Sequence, residues 1–200
     1  CIESVAAQTY PHKEHVIVDG ASTDGTVELL RQYAEKYTHI KYLSEPDSGL
    51  SEALNKGIAL ATGDCIGVLG DDDYYEPGAF ETVAAEFARR PDVGLVTGTC
   101  NLVLNDGSVF RVDKGAYTSR IDLVACWKHW GRDVRIPAPS TFIAKKAIAE
   151  AGVFNEDDRY AMDYDHWIRI TRNFGISIVD KHIANFRFDG NTISHQTGDK

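Results

Sequence analysis

The chain has 200 residues, 43% of them hydrophobic and 26% charged, which suits one soluble domain with a sizeable core. Its net charge of −9 argues against non-specific attraction to nucleic acid. The longest apolar runs, such as Ile66–Leu69, are far too short to span a bilayer, and the opening residues carry no signal-peptide pattern.

Cys1 to Gln8 has the spacing of the middle of an amphipathic helix, with neither a cap nor an initiator Met, so the natural N-terminus is expected further upstream. Val16-Ile17-Val18 reads as a buried strand ending at Asp19-Gly20. Ser22 to Thr26 form a turn and helix start, after which Val27, Leu30, Ala34 and Tyr37 recur at helical spacing. Ile40 to Leu43 reads as a second strand and Ser44 to Gly49 as a loop. The next helix, capped at Ser51, carries Leu54, Ile58 and Ala61 on one face and stops at Gly63. Cys65 to Leu69 is a third strand, running straight into Asp71-Asp72-Asp73. Pro77 suits the first turn of a helix with Phe80, Val83, Ala84 and Phe87 as its apolar stripe.

Val93 to Thr97 is a further strand, and Leu102 to Val112 reads as a hairpin around Asn105-Asp106-Gly107. A short helix is expected at Leu123, Val124 and Trp127, a strand at Ser140 to Ala144, and a helix from Lys146 to near Gly152. Asp163 to Arg172 reads as helical, and Ile176–Val179 and His182–Phe188 as two late strands. Strands alternating with helices predict an α/β fold with a mostly parallel central sheet. No repeat or linker divides the chain, so one domain spanning 1–200 is expected. Cys1, Cys65, Cys100 and Cys126 are widely spread with no C-x-x-C pair and read as reduced thiols in a cytosolic setting.

Three acidic clusters carry the chemistry. Asp71, Asp72 and Asp73 follow an apolar strand, where α/β folds place their ligands. Adjacent carboxylates repel unless a cation sits among them, and a hard Mg²⁺ or Mn²⁺ takes one or two carboxylates plus phosphate oxygens. A solvated acidic turn is the alternative. Asp19, with Ser22 and Asp24, sits just after a strand, where a carboxylate can bind a base or ribose; a turn former and a helix cap are the structural alternatives. Asp163 and Asp165 are two residues apart and cannot share a helix face, so one can aim at a cleft as a general base while the other caps or is solvated. Between the clusters, Trp127 and Trp130 either pack in the core, the commoner fate of a tryptophan, or stack on a ligand in a cleft that Ser140 and Thr141 could also line.

The ordered set Val16-Ile17-Val18-Asp19-Gly20-Ala21-Ser22-Thr23-Asp24-Gly25-Thr26, Ser44-Glu45-Pro46-Asp47-Ser48-Gly49, Ala53-Leu54-Asn55-Lys56-Gly57-Ile58, Leu69 to Asp73 and Met162-Asp163-Tyr164-Asp165-His166-Trp167 resembles the family 2 glycosyltransferases over about residues 2 to 194. The resemblance implies a GT-A fold, Rossmann-like with helices on both faces of the sheet, residues 1–100 forming the nucleotide-sugar half and 101–200 the acceptor half. It implies an inverting, metal-assisted transfer of a sugar from a nucleotide-diphosphate donor, a UDP-sugar foremost, to a saccharide or lipid-linked acceptor. It further implies bacterial surface polysaccharide as the product and a cytoplasmic location at the inner face of the membrane, with any association peripheral or through a segment not among these residues.

By the same resemblance Asp19 and Ser22 meet the nucleotide, Asp47 and Lys56 approach it, and Asp71 or Asp72 meets the sugar or ribose. Asp73 is the metal ligand, with Asp189 standing where the family often has a metal-binding His. Asp163 is the catalytic base, Trp127, Thr141 and Asp165 lie on the acceptor side, and Arg169 steadies the acceptor helix by ion pairing. The chain departs from the family pattern at Gly70-Asp71-Asp72-Asp73, where Asn-Ser-Asp-Asp is usual, and at Met162, where Glu is usual. The family commonly begins with a strand and a nucleotide-binding turn before the first helix, a segment not found in these 200 residues. A non-catalytic nucleotide- or sugar-binding remnant and a metal-dependent nucleotidyltransferase or phosphohydrolase are the competing functional readings.

Overall fold

The computed structural model describes residues 1–125, 134–158 and 160–188. After a short helix α1 (Ile2–Ala6), strand β1 (His15–Asp19) pairs in parallel with β2 (Ile40–Ser44), from His15 opposite Ile40 to Asp19 opposite Ser44. Helix α2 (Thr26–Lys36) makes the crossover. Its N-terminal Gly25 has φ 98°, a left-handed conformation that glycine adopts without cost. Helix α3 (Leu50–Leu60) then packs on β1, where a Cβ on Gly57 would lie 3.6 Å from Val18 Cγ2. The helix begins at Leu50 rather than at a Ser51 cap, because the Ser51 hydroxyl is turned to a distant partner.

The larger sheet contains β3 (Cys65–Gly67), β4 (Tyr74–Tyr75), β5 (Val93–Val103), β6 (Val109–Asp113), β7 (Thr141–Ala144) and β8 (Gly175–Arg187). Its order is β3-β7-β5-β8-β4, with β6 sharing the β7 edge of β5. The sheet expected to be mostly parallel is mixed. Only β5/β8 is parallel within it, while β3/β7, β5/β7, β5/β6 and β4/β8 are antiparallel. The reason is that β3 and β5 do not pair with each other. Strand β7, from the second half of the chain, inserts between them and runs the opposite way.

Two expected late strands are one. Asp180 and Lys181 look like a turn in the sequence, but register shifts around Thr99 absorb them on the solvent side of β8. Gly98 is needed at this point, since a Cβ there would lie 2.5 Å from Ile183 Cγ1. The hairpin forms as expected, with Gly107 at φ 82°.

The remaining helices are α4 (Ala79–Arg89), α5 (Arg120–Val124), α6 (Lys145–Ala151) and α7 (Met162–Ile170). Along β5 and β7 the side chains alternate between two cores. Val96 and Phe142 join Val5 of α1 and Val83 of α4, whereas Leu95 and Ile143 join Leu123 of α5, Ile148 of α6 and Trp167 of α7. The centre of the sheet is therefore covered by helices on both faces, and β7 and the first half of β5 are buried at successive residues rather than at alternate ones. No helix among the described residues is long and apolar enough to cross a membrane.

Candidate functional site

Asp19 closes β1 opposite Ser44 and is 7% exposed. Its Oδ2 accepts from the Ser22 N–H at 3.0 Å and from Ser44 Oγ at 2.7 Å. Hydrogen bonds from Ser22 and then Ser44 hold this carboxyl below the usual carboxylate range, so it stays ionised although buried. The turn that brings the Ser22 amide round passes through Ala21 at φ 61°, a left-handed conformation that costs a residue with a Cβ. Asp24 accepts from the backbone and hydroxyl of Thr26 and serves as a local cap.

Asp47 lies across from this turn. Its Oδ1 accepts from the Gly49 N–H at 3.0 Å, and a Cβ on Gly20 would lie 2.9 Å from its Oδ2. Asp19, Ser22 and Asp47 are thus brought together at the ends of two parallel strands. Lys56 is committed nearby: its Nζ donates to Pro46 O at 3.0 Å and pairs with Glu45 and Glu52, each at 2.9 Å. Its charge holds the loop that carries Asp47, so the expected direct approach to the nucleotide gives way to a supporting role.

The acidic triplet lies in the loop between β3 and β4, not on a strand end, because β3 stops at Gly67. Asp71 and Asp72 are exposed, whereas Asp73 is 3% exposed. Asp73 Oδ1 accepts from the Arg187 N–H at 2.9 Å. Burial pushes this carboxyl up to about 6, and the charges of Asp72 and Asp71 add to the rise. A Cβ on Gly70 would lie 2.9 Å from Asp73 Oδ2 and 3.3 Å from Asp72 Oδ1, so two carboxylate oxygens converge over this glycine.

Hard, converging, mutually repelling oxygens fit a divalent cation that takes the rest of its shell from a phosphorylated ligand. Among the described residues no group of three or more His, Cys, Asp or Glu side chains surrounds one point. Asp189 lies outside the described residues.

Asp163 occupies the first turn of α7, half-buried, and its Oδ1 accepts from the Tyr164 N–H at 2.8 Å. Burial raises its pKa, and the charge of Asp158 adds to the rise. Asp165 faces elsewhere. It accepts from Arg169 Nε at 2.9 Å, and the same guanidinium donates to the carbonyls of Ala151 and Val153. The expected helix-steadying ion pair exists, and Asp165 is one half of it rather than a group left open to an acceptor. His166 is fully buried with Nε2 2.8 Å from Gly152 O, and burial lowers its pKa to about 4, which keeps the ring neutral.

Thr141 does not line a cleft. It is 3% exposed, 2.7 Å from Pro137 O and 2.9 Å from Thr97 Oγ1, because β7 crosses β5 at that residue. Ser140 is fully buried against Gly98 O. Trp127 and Trp130 lie outside the described residues. A cleft of about 150 Å³ beside α6 and α7 is lined by Glu150, Arg169, Arg172, Asn173 and Phe174 among others, and none of the candidate carboxylates borders it.

Sequence reasoning missed Ser44, Ser51 and Asn55. Asn55 lies beside Lys56 in the interior of α3, where asparagine is a poor helix former, and that mismatch is the local signal that it serves a contact elsewhere.

Residues 1–152 match the family model described as Glycosyl transferase family 2. A chondroitin synthase of Escherichia coli is 27% identical over 199 residues, 97% of this chain and 27% of that protein. Residues 1–349 of S. aureus TarS, solved in complex with UDP-GlcNAc, superpose with TM-score 0.74 at 18% identity, covering 98% of this chain and 56% of that one. The mannosyltransferase PcManGT of Pyrobaculum calidifontis, solved with GDP-Man and Mn²⁺, superposes with TM-score 0.66 at 19% identity, covering 92% of this chain and 51% of that one. These likenesses identify the fold as GT-A, and the chain spans little more than half of each solved relative and about a quarter of the synthase.

Proposed function

Because the chain belongs to glycosyl transferase family 2, we propose that it performs an inverting transfer of a sugar from a nucleotide-diphosphate donor, a UDP-sugar foremost, to a saccharide or lipid-linked acceptor in polysaccharide synthesis. The observation that carries this reading is the half-buried Asp163, whose carboxyl is lifted by burial at the start of a helix braced by Arg169. A base works best with a pKa drawn toward the operating pH.

Asp163 takes the proton of the acceptor hydroxyl as that oxygen bonds to the anomeric carbon. The bond from that carbon to the phosphate oxygen breaks, and the nucleoside diphosphate leaves with the electron pair. The Asp19, Ser22 and Asp47 turn holds the nucleotide, supported by Lys56, and Asp71 or Asp72 meets the ribose or sugar. A Mn²⁺ or Mg²⁺ held by Asp73 beside Asp72, with Asp189 the further ligand that the family resemblance suggests, would offset charge on the leaving diphosphate.

Residues 1–100 form the donor half in this reading and 101–200 the acceptor half of one domain. The work would be done on the cytoplasmic side, with any membrane contact peripheral. TarS with UDP-GlcNAc supports a UDP-sugar, and PcManGT with GDP-Man and Mn²⁺ supports the cation. Calorimetric titration with UDP-, GDP- and dTDP-sugars, with and without Mn²⁺, followed by turnover with acceptor, tests the proposal. Cation-dependent binding of one donor and its turnover are expected; binding with no turnover in any acceptor mixture would favour a non-catalytic module.

A further inference from the structure

Helix α3 carries two sets of hydrogen bonds to two different parts of the chain. Glu52 accepts from the Ser48 N–H and hydroxyl, each at 2.7 Å, and with Lys56 it holds the loop that bears Asp47. One residue earlier on each count, Ser51 and Asn55 reach instead to the segment before α7. Asn55 closes a two-bond ring on a single residue: the Phe154 N–H donates to Oδ1 at 2.9 Å, and Nδ2 donates to Phe154 O at 3.0 Å. Nδ2 also donates to Glu156 Oε1 at 2.8 Å. Ser51 Oγ lies 2.8 Å from Met162 Sδ and 3.3 Å from Asp158 O. The Asp158 carboxylate in turn accepts from the N–H groups of Tyr160 and Ala161, directly before α7.

From the other side, α7 grips the same segment. Arg169 binds the carbonyls of Ala151 and Val153, and His166 binds that of Gly152 while its ring meets Phe154 at 4.4 Å. Phe154 is 5% exposed, so its backbone groups have no water to fall back on when Asn55 is absent. Asp163 is the second residue of the helix that this clamp positions.

We propose that Asn55 is a positioning residue for the transfer step: its amide fixes the segment that sets the first turn of α7 and so aims the Asp163 carboxylate. The proposal rests on the reading of Asp163 as the base. Since α3 also holds the Asp47 loop, one helix sets the donor side and the base side in register, and small misplacements there are costly: about 1 Å can cost on the order of 10²-fold in rate.

The test compares Asn55→Ala and Asp163→Asn with the parent. The readouts are kcat for the nucleotide sugar turned over, donor affinity by calorimetry, and the ¹³C-carboxyl titration of Asp163, assigned by its disappearance in Asp163→Asn. The titration needs no turnover. Asn55→Ala is expected to lower kcat about 10- to 100-fold, to leave donor affinity within about twofold, and to move the Asp163 midpoint down as the loosened turn admits water. The charge acting on Asp163 is that of Asp158 in the preceding segment, while the Asp165–Arg169 pair of its own helix faces elsewhere, and the substitution removes none of these groups.

An unmoved midpoint with unchanged kcat, or a kcat that falls only with the folded fraction, overturns the proposal. Should Asn55→Ala not fold, Ser51→Ala takes the same measurements: a lowered midpoint supports the clamp and an unmoved one overturns it. Near-parent turnover by Asp163→Asn would instead remove the base assignment beneath it.

Discussion

The Arg187 N–H donates to Asp73 Oδ1 at 2.9 Å, tying the end of β8 to the acidic loop 114 residues earlier. This bond selects Asp73 from three adjacent acids. It draws one carboxylate under the sheet edge while Asp71 and Asp72 stay in water.

A stability profile follows from that burial. Below about pH 3 Asp73 is protonated in both folded and unfolded chains and contributes nothing. As the pH rises the unfolded chain releases its proton first, while the folded carboxyl holds on until about 6. Stability therefore falls between pH 4 and 6, by about 3 kcal/mol, and the deficit persists above that range. Thermal melts of the metal-free protein should show this fall, Asp73→Asn should lack it, and Mn²⁺ should raise the melting temperature of the parent alone at pH 7.5. A parent and variant that share one pH profile would count against the buried, ionisable Asp73.

Asp163→Asn should lower kcat by about 10²- to 10⁴-fold, the usual worth of a general base, with donor affinity held within about twofold. On the proposed mechanism the base must be ionised to take a proton, and burial raises the pKa of Asp163, so the parent's kcat should climb with pH through a midpoint above the ordinary carboxylate range. Steady-state kinetics from pH 4 to 8 read both effects, and a flat profile would exclude the assignment.

Asp165 and Arg169 should behave as structure. Arg169→Ala strips donors from two carbonyls and a carboxylate, and about 2 kcal/mol of stability should go with them. Asp165→Asn should cost less, since Arg169 keeps its two carbonyl contacts. Denaturant melts measure both. A raised acceptor KM in Asp165→Asn at unchanged stability would return that residue to the acceptor site.

The legible parts of this fold are the local ones. Val16-Ile17-Val18 before Asp19, Asn105-Asp106-Gly107 between two strands, and the three acids after an apolar run each announce themselves within a few residues. The family resemblance added the order in which such pieces occur. What stayed hidden depends on distant pairing. Asn55 acquires its role from Phe154, 99 residues away, and Thr141 loses its expected role to Thr97, 44 residues away. Whether β7 lies beside β3 or elsewhere is a choice among sheet orders, and period-two alternation fixes a strand's faces but not its neighbours. The contacts of Lys56 with Pro46, Glu45 and Glu52 were hidden for a related reason: a lysine that reaches a ligand and a lysine that braces a loop have the same local sequence.

Gly70→Ala probes the acidic loop without removing any carboxylate. The backbone at Gly70 is outside the left-handed region, so alanine is conformationally acceptable there. The new methyl, however, would start 2.9 Å from Asp73 Oδ2 and 3.3 Å from Asp72 Oδ1, closer than ordinary contact allows. The Asp72 side chain is exposed and can swing away, whereas Asp73 is held by Arg187 and has little room. The two oxygens should therefore part. Mn²⁺ affinity, followed by calorimetry in the presence of the nucleotide, should weaken about tenfold, equivalent to about 1.4 kcal/mol. Stability without metal should drop by about 1 kcal/mol, the lower end of the cost of overpacking, because one of the two crowded groups can move. Unaltered Mn²⁺ affinity in a folded Gly70→Ala protein would mean that the convergence of Asp72 and Asp73 over this glycine has no part in holding the cation.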